Sequence, residues 1–493
     1  MNDDVYPVHY YDDDSMLRSI MVSWNFIFND VLDAEKLHGA LWRLLGMDGW
    51  RKLGGRLRLN AKGKLEVHVP RVFTSERPAV HFTHSMTNTS IDEHPVGSQL
   101  PKSTNTLSIQ NTPAELFHAL GLRRGGNVPI TVYDLVRSDE PQLSVHVTNF
   151  TDATLVGILY PHTMMDGMGR VALIQAWSLV LAGRETEVPT LAGTRDDIMA
   201  TVGTASDITE QEPWMMMPMV MSGLGKLRWG SRLLWDILWC PQADEKVMCV
   251  PPALQEQLRR QAQKELVERR GSEAPFISNS DVLAAWVLHL VGRSQPQPRP
   301  MTLSNVVELR SRLPSVFSRP ANDEVYVQNI TARTHVFLSA AECAGLSLGE
   351  TALKVREAIS LQAAEPQVRA QVREQRRARA AGESFMLFGD PDAVMLFLTN
   401  QTKDGVFKNS DFGPAVVQAR SLHGTNPPGT PVYTHSCFMK KNFVTRYAVS
   451  FRGKDYIGNV WVNLVLAANV WDKIERQLKK TEQDDIKEQI LKP

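Results

Sequence analysis

The feature that most constrains the fold is an apolar strand joined to a helix by a tight turn. Residues 153–160 form a continuous apolar run of strand length, which predicts a buried strand. Pro161 ends this run, and a helical pattern extends from about residue 166 to 181, before Gly183. His162 therefore lies at the turn, where backbone and side-chain groups are free to face a ligand.

Composition and charge exclude several classes of protein. Of the 493 residues, 43% are hydrophobic and 22% are charged, which is typical of a globular chain rather than a disordered or fibrous one. Lys plus Arg and Asp plus Glu both number 54, so the formal net charge is zero. Proteins that bind nucleic acid through its phosphates normally carry a basic excess. We therefore expect no nucleic-acid partner.

The cysteines and the N-terminus indicate the compartment. The four cysteines form no CxxC pair and no tight Cys/His cluster, so neither a disulfide framework nor a metal site is expected. Residues 1–14 are acidic and polar, without the apolar segment of a secretory signal. The most apolar stretch, residues 214–225, is too short to span a bilayer. These features predict a cytoplasmic protein with no integral membrane span.

Residues 206–245 are expected to link an N-terminal domain, residues 1–205, to a C-terminal domain, residues 246–493. The Met- and Trp-rich part of this linker has three interpretations. It could be a crossover helix packed across both halves, which we favour. It could instead be an apolar cavity wall, because Met and Trp adapt to large apolar ligands. Weak contact with a membrane surface is the third interpretation.

Three charged segments are interpreted structurally. The acidic run 12–14 lies outside any apolar helix pattern, so we interpret it as a solvated turn rather than a magnesium–diphosphate site. The Arg-rich stretch 367–381 predicts a solvated helix rather than an anion site. Ser280 and Asp281 predict a helix start, as N-cap and first-turn acid.

The strongest local motif is His162-Thr-Met-Met-Asp166-Gly167. His162 follows a strand and Asp166 begins a helix, so the imidazole can project into a cleft while the carboxylate is left for a structural role. Imidazole is the side chain best suited to abstract a proton near neutral pH. A lone histidine is nevertheless more often a structural residue, and this motif alone does not establish a reaction.

Two other enzyme classes are not supported. Asp411-Phe412-Gly413 matches the kinase Asp-Phe-Gly, but no glycine-rich loop, Val-Ala-Ile-Lys strand or His-Arg-Asp loop precedes it. A serine hydrolase would need a Gly-x-Ser-x-Gly elbow, which the sequence lacks.

Taken together, the motifs resemble the BAHD acyltransferases, and more closely their fungal trichothecene acetyltransferase-like branch, within the chloramphenicol acetyltransferase-like superfamily. That family has His-xxx-Asp in its first half and Asp-Phe-Gly-Trp-Gly late in its second, and here Pro414-Ala415 replace the final Trp-Gly. Weaker similarities follow in matching order at residues 53–57, 277–286, 309–313 and 327–329. The resemblance covers nearly the whole chain.

The resemblance implies a fold and a reaction. The fold would have two α/β domains of mixed sheets, with an active-site tunnel at their interface, and the protein would be a monomer. The reaction would move an acyl group from acyl-CoA, a co-substrate and not a permanently bound cofactor, to a hydroxyl or amine of a small secondary metabolite. His162 would act as general base, with no covalent intermediate.

The resemblance also implies roles for other residues. Asp166 would pair with Arg310, and Asp411, Phe412 and Gly413 would be structural. Candidates for binding substrate or the thioester oxyanion are Gly167, Asn400, Gln401 and Thr402. Alternatively, the same pocket would serve condensation, cyclisation or transfer of a carrier-protein-bound acyl group, or belong to a degenerate, non-catalytic binding protein.

Overall fold

The computed structural model describes residues 3–123, 125, 127–207, 212–317, 324–383, 386–419, 426–440 and 446–490, with the backbone alone for residues 272 and 481–490. The strands are β1 (Asp4–Pro7), β2 (Met21–Phe28), β3 (Val31–Leu32), β4 (Arg56–Leu59), β5 (Leu65–Val69), β6 (His81–Met86), β7 (Ser108–Asn111), β8 (Ser144–Asn149), β9 (Thr154–Pro161), β10 (Thr190–Leu191), β11 (Ala243–Val250), β12 (Met301–Glu308), β13 (Glu324–Val325), β14 (Thr331–Leu338), β15 (Val394–Asn400), β16 (Val416–Gln418), β17 (Tyr433–Phe438), β18 (Ala448–Lys454) and β19 (Val460–Ala467). The α-helices are α1 (Ser15–Arg18), α2 (Ala34–Gly46), α3 (Ala114–Gly121), α4 (Val132–Val136), α5 (Gly167–Leu181), α6 (Gly223–Trp239), α7 (Pro252–Arg270), α8 (Asn279–Arg293), α9 (Ala340–Gly345), α10 (Leu348–Gln362), α11 (Glu365–Ala380), α12 (Val406–Asn409) and α13 (Ala468–Ile490).

Two large sheets dominate the architecture. One has five strands in the order β17-β2-β9-β8-β6, and the other has seven in the order β14-β12-β15-β18-β19-β11-β7. Both sheets are mixed, because β6/β8, β12/β15 and β15/β18 run parallel while β2/β9 and β18/β19 run antiparallel. The expected mixed α/β class is confirmed.

Each half of the chain contributes one strand to the sheet of the other half. β7, from the first half, pairs with β11, and β17, from the second half, pairs with β2. The largest apolar core is also shared, since Phe412, Tyr433 and Trp461 pack with residues of β2, β9 and α5. The domain boundaries at residues 205 and 246 therefore stay a prediction. β7 and β17 each join the sheet of the other half of the chain.

The strand–turn–helix unit forms as its sequence predicts. β9 lies inside the five-stranded sheet with all eight residues buried, and its last residue, Pro161, is opposite Met21. α5 begins one residue after Asp166, which is its N-cap. The predicted N-cap of α8, Ser280, is wrong by two residues. Ser278, not Ser280, is the N-cap of α8, and Asp281 completes a capping box with it.

The linker differs from the interpretation that we favoured. Part of it lies outside the described residues, at 208–211. Trp214 and Met216 pack with Phe388, and the polar contacts that we identify for α6 go to residues between 299 and 446. α6 therefore lies against the second half rather than across both. Among the described helices, none has the length and apolarity needed to cross a bilayer.

Candidate active site

A cavity of about 500 Å³ is lined by strands of both large sheets. The five-stranded sheet contributes residues of β2, β9 and β17, and the seven-stranded sheet contributes residues of β11, β12, β14, β15, β18 and β19. His162 lies on the wall of this cavity. The turn after β9 therefore borders a cavity that lies between the two sheets.

Backbone hydrogen bonds hold His162 in place. Its N–H donates to the carbonyl of Ile20 at 3.0 Å, and its own carbonyl accepts from Nδ2 of Asn329 at 2.8 Å. The ring centroid is 6.5 Å from that of Phe438, and Nδ1 is buried. Burial lowers the pKa of His162, with a smaller contribution from the positive charge of Arg170. The imidazole is therefore neutral at pH 7.

Asp166 is fully engaged in structural hydrogen bonds. Its Oδ1 accepts from the N–H of Gly169 at 2.9 Å and its Oδ2 from the N–H of Ile330 at 3.0 Å. Arg310 forms the expected ion pair with the same carboxylate, and the pair is bidentate. Its Nη1 donates to Oδ2 at 2.9 Å and its Nη2 to Oδ1 at 3.2 Å. This network ties the start of α5 to the second half of the chain.

Gly169 is required by a close approach beside this network. A Cβ at position 169 would lie 2.3 Å from the carbonyl oxygen of Val327, a backbone atom that cannot move aside cheaply. The N–H of Asp166 donates to that same carbonyl at 3.2 Å. The first turn of α5 is therefore fitted tightly to residues 327–330.

The interpretation of residues 12–14 as a solvated turn is wrong for Asp12 and Asp13, which are both buried. Oδ1 of Asp12 accepts from the backbone N–H and from Nδ2 of Asn329, each at 2.7 Å. Burial raises the pKa of Asp12 to about 7. Asn329 also donates to the carbonyl of His162, so Asp12 stabilises the turn through Asn329. Its partner lies 317 residues away, so no local pattern indicates this role.

The Arg-rich helix is only partly solvated. Gln371, Gln375 and Arg379 of α11 line the cavity, and Arg379 donates to the carbonyl of Tyr10 at 2.7 Å. Arg376 lies over the Tyr10 ring, 4.4 Å from its centroid. One face of α11 is therefore docked on the N-terminal segment.

Three of the four candidate oxyanion or substrate residues reach the cavity. Gly167, Asn400 and Gln401 line it, whereas Thr402 is not among the lining residues. Instead, the backbone N–H and the hydroxyl of Thr402 donate to Oδ1 of Asn400, at 3.0 and 2.7 Å. Thr402 thereby fixes the Asn400 amide with its oxygen engaged.

The Asp411-Phe412-Gly413 segment is not part of the cavity wall. The Phe412 ring is fully buried, with its centroid 5.4 Å from that of Phe28 and 4.8 Å from that of Trp177. Oδ1 of Asp411 accepts from the N–H of Gly413 at 2.9 Å. These contacts hold the segment against α5 and β2.

Sequence reasoning missed two buried arginines in the cavity wall. Nη1 of Arg170 donates to the hydroxyl of Ser436 at 3.0 Å, and Arg452 donates to the carbonyl of the same residue. Neither arginine forms an ion pair with a carboxylate in the described part of the chain. Arg170 could have been found, because it is the only charged residue of α5.

Comparison with known proteins yields close relatives. No family model matches the chain. It is 34% identical to the O-acetyltransferase PaAT-2 of Phomopsis amygdali, over 97% of this chain and 98% of that protein. It is 36% identical to the acetyltransferase pyiB of Pyricularia grisea, over 98% and 94%. The crystal structure of F. graminearum TRI101 complexed with coenzyme A and T-2 mycotoxin is similar in fold, with a TM-score of 0.68 at 16% identity over 97% of this chain and 98% of that one.

Proposed function

This chain belongs to the fungal, trichothecene acetyltransferase-like branch of the BAHD acyltransferases, and from that premise we propose that it transfers an acyl group directly from acyl-CoA to a hydroxyl or amine of a small secondary metabolite. The observation that carries the proposal is a neutral, half-buried imidazole, His162, held at a fixed turn on the wall of a cavity between two sheets. The fold is the chloramphenicol acetyltransferase-like fold.

In the proposed reaction His162 is the general base. Because Nδ1 is buried, Nε2 is the ring nitrogen that can face an acceptor. Nε2 takes the hydroxyl proton as the acceptor oxygen bonds to the thioester carbon. The C–S bond then breaks, and the imidazolium returns the proton to the departing thiolate. General-base catalysis contributes about 10²–10⁴-fold, and holding donor and acceptor in one cavity supplies much of the remainder.

The developing oxyanion needs a hydrogen-bond donor in the cavity wall. Asn400 suits this role, since its oxygen is occupied by Thr402 and its amide N–H groups are the part left to donate. Gln401 is a second candidate, because its amide lies close to the start of α5. Its Nε2 is 3.8 Å from the position that a Cβ would occupy at Gly167, the first residue of that helix.

A covalent acyl-enzyme is not part of the proposal. Cys437 is the only cysteine among the residues that we identify in the cavity wall. Burial raises the pKa of its thiol far above the ordinary range, so the reactive thiolate is not formed near neutral pH. Direct transfer to the bound acceptor avoids this obstacle.

The acceptor and the compartment complete the proposal. Apolar side chains from several strands line much of the cavity, including Val22, Phe397, Val449 and Val465. Such a wall suits an apolar metabolite.

All four cysteines are free, which supports a reducing, cytoplasmic location. We retain the monomer as part of the same proposal.

The test measures release of the CoA thiol from acetyl-CoA with a panel of hydroxylated terpenoids and polyketides. The O-methyl ether of each compound is the matched control, because it lacks the proton that His162 removes. We expect release only with free hydroxyls. Turnover with an acyl group loaded on a carrier protein, and not with acetyl-CoA, would favour the condensation-type alternative. Binding without turnover of either donor would favour the non-catalytic alternative.

The pH dependence of kcat/KM should reveal the imidazole. The neutral form is active, and burial lowers its pKa, so activity should fall only below the ordinary histidine value of 6.5 and stay level above it. Arg170→Met removes a positive charge that lowers this pKa, and so should move the acid limb to higher pH. Arg170→Lys keeps the charge and should shift it less. An acid limb that is unchanged in Arg170→Met would contradict this assignment.

Asp12→Ala should weaken the support beneath the turn. It leaves two donors of Asn329 without their acceptor, which costs about 1–3 kcal/mol of the free energy of unfolding. We expect a lower kcat as well, because Asn329 also holds the His162 carbonyl. Urea unfolding and steady-state kinetics measure both effects. Asp92→Ala removes a half-exposed carboxylate and is the control; an equal loss in both variants would show that Asp12 has no special role.

A further inference from the structure

The outer face of α6 is unusually apolar for an exposed helix. Its large side chains on that face are 56–82% exposed: Leu224, Leu227, Leu234, Trp235, Leu238 and Trp239. Spacings of three and four residues place them along one stripe of the helix. The rings of Trp235 and Trp239 stack, with centroids 6.1 Å apart. Single exposed apolar residues are common, but a contiguous stripe marks an interaction site.

The inner face of α6 adjoins the cavity wall. Trp229 packs on a small cluster that also contains Met221, Leu387, Met395 and Phe397, and Phe397 lines the cavity. Lys226 pairs at 2.9 Å with Glu383, another cavity-lining residue. The inner face of α6 therefore packs on side chains that also line the cavity, while its outer face carries the exposed stripe.

The size of the stripe argues against a second copy of the chain as its partner. A helix of 17 residues is about 25 Å long and, at a width of about 10 Å, offers roughly 250 Å² on one face. A stable protein interface needs about 800 Å² from each partner. A single helix face is, however, sufficient for insertion into the headgroup region of a bilayer.

The composition of the stripe also fits a lipid surface. Leucines with tryptophans are typical of helices that lie in the membrane interface, and tryptophan prefers that depth. The cations of α6 are Lys226, Arg228 and Arg232, and they are paired with Glu383, Asp392 and Asp236. The rim is thus close to neutral, so burial of apolar side chains, rather than attraction to anionic headgroups, would supply the binding.

We propose that α6 docks this protein on the surface of a lipid bilayer, with its outer face buried among the headgroups and upper acyl chains. The docking does not depend on the proposed acyl transfer. Its consequence for catalysis does: a membrane-dissolved, apolar acceptor would be concentrated beside the cavity wall.

The experiment is co-sedimentation of the full chain with vesicles of phosphatidylcholine, with and without phosphatidylserine, at low and high salt. We expect binding to both vesicle types, with little weakening by salt. Changing Leu234, Trp235, Leu238 and Trp239 together to glutamine should weaken partitioning by about tenfold or more. These side chains are exposed, so the thermal unfolding temperature should stay unchanged.

The control variant, Met86→Gln with Phe276→Gln, removes two equally exposed apolar side chains away from α6 and should bind vesicles like the unmodified chain. Vesicle binding that survives the α6 substitutions, or no binding by the unmodified chain, would overturn the proposal. A second contrary result is an unmodified chain that does not bind vesicles but forms a concentration-dependent dimer that the α6 substitutions disrupt. That result would assign the face to an interface with a second copy. CoA release in free solution is measured in parallel, so failure of docking and failure of acyl transfer are distinguishable.

Discussion

His162→Ala is expected to lower kcat by about 10²–10⁴-fold, the usual contribution of a general base, while the thermal unfolding temperature stays close to that of the unmodified protein. The hydrogen bonds that hold position 162 are made by its backbone, which alanine retains. Affinity for CoA, measured by titration calorimetry, should also be unchanged. A variant with normal turnover would show that another group removes the proton.

A second histidine of the cavity provides the matched control. His335 lines the same cavity, but burial lowers its pKa to about 3, which makes its imidazole a poor base near neutral pH. We therefore expect His335→Gln to reduce kcat far less than His162→Ala. The reverse order of effects would assign the proton transfer to His335.

Asp166→Ala is expected to have the largest effect on stability, about 3–5 kcal/mol of the free energy of unfolding. This change leaves the Arg310 guanidinium without its counter-charge at a largely buried site. It also removes the N-cap of α5 and the acceptor of the Ile330 N–H. Turnover should fall with it, since the His162 turn loses its anchor. Urea unfolding measures the first effect and CoA release the second.

A double-mutant cycle separates the ion pair from the other contacts of Asp166. In Asp166→Ala with Arg310→Met the uncompensated charge is gone, so this double variant should be more stable than the sum of the single losses predicts. Strict additivity would mean that the Asp166–Arg310 pair does not couple, which would contradict the structural role proposed for Asp166.

The parts of the site that depend on local sequence could be predicted. The apolar run before Pro161 and the helical pattern after Asp166 predict a strand, a turn and a helix, and the structure has β9 and α5 there. The partner of Asp166 came from family resemblance alone, since Arg310 lies 144 residues away. Local periodicity carries no information about such a contact.

The parts that depend on distant contacts could not be predicted. Asp12 looked like a solvated residue because its acceptor role is created only when Asn329 folds against it. The exchange of β7 and β17 between the sheets is likewise a property of the assembled fold. A crossover helix is only the favoured one of three interpretations of the Met- and Trp-rich linker, and the packing of α6 alone shows that it contacts the second half and leaves its apolar face exposed.

The most direct test of the account is the intact mass of the protein after incubation with acetyl-CoA in the absence of an acceptor, followed by addition of an acceptor hydroxyl. Direct transfer predicts an unmodified mass and no CoA release in the first step, then stoichiometric release and an acetylated acceptor in the second. A protein heavier by one acetyl group, formed before the acceptor is added and lost in Cys437→Ser, would contradict the account.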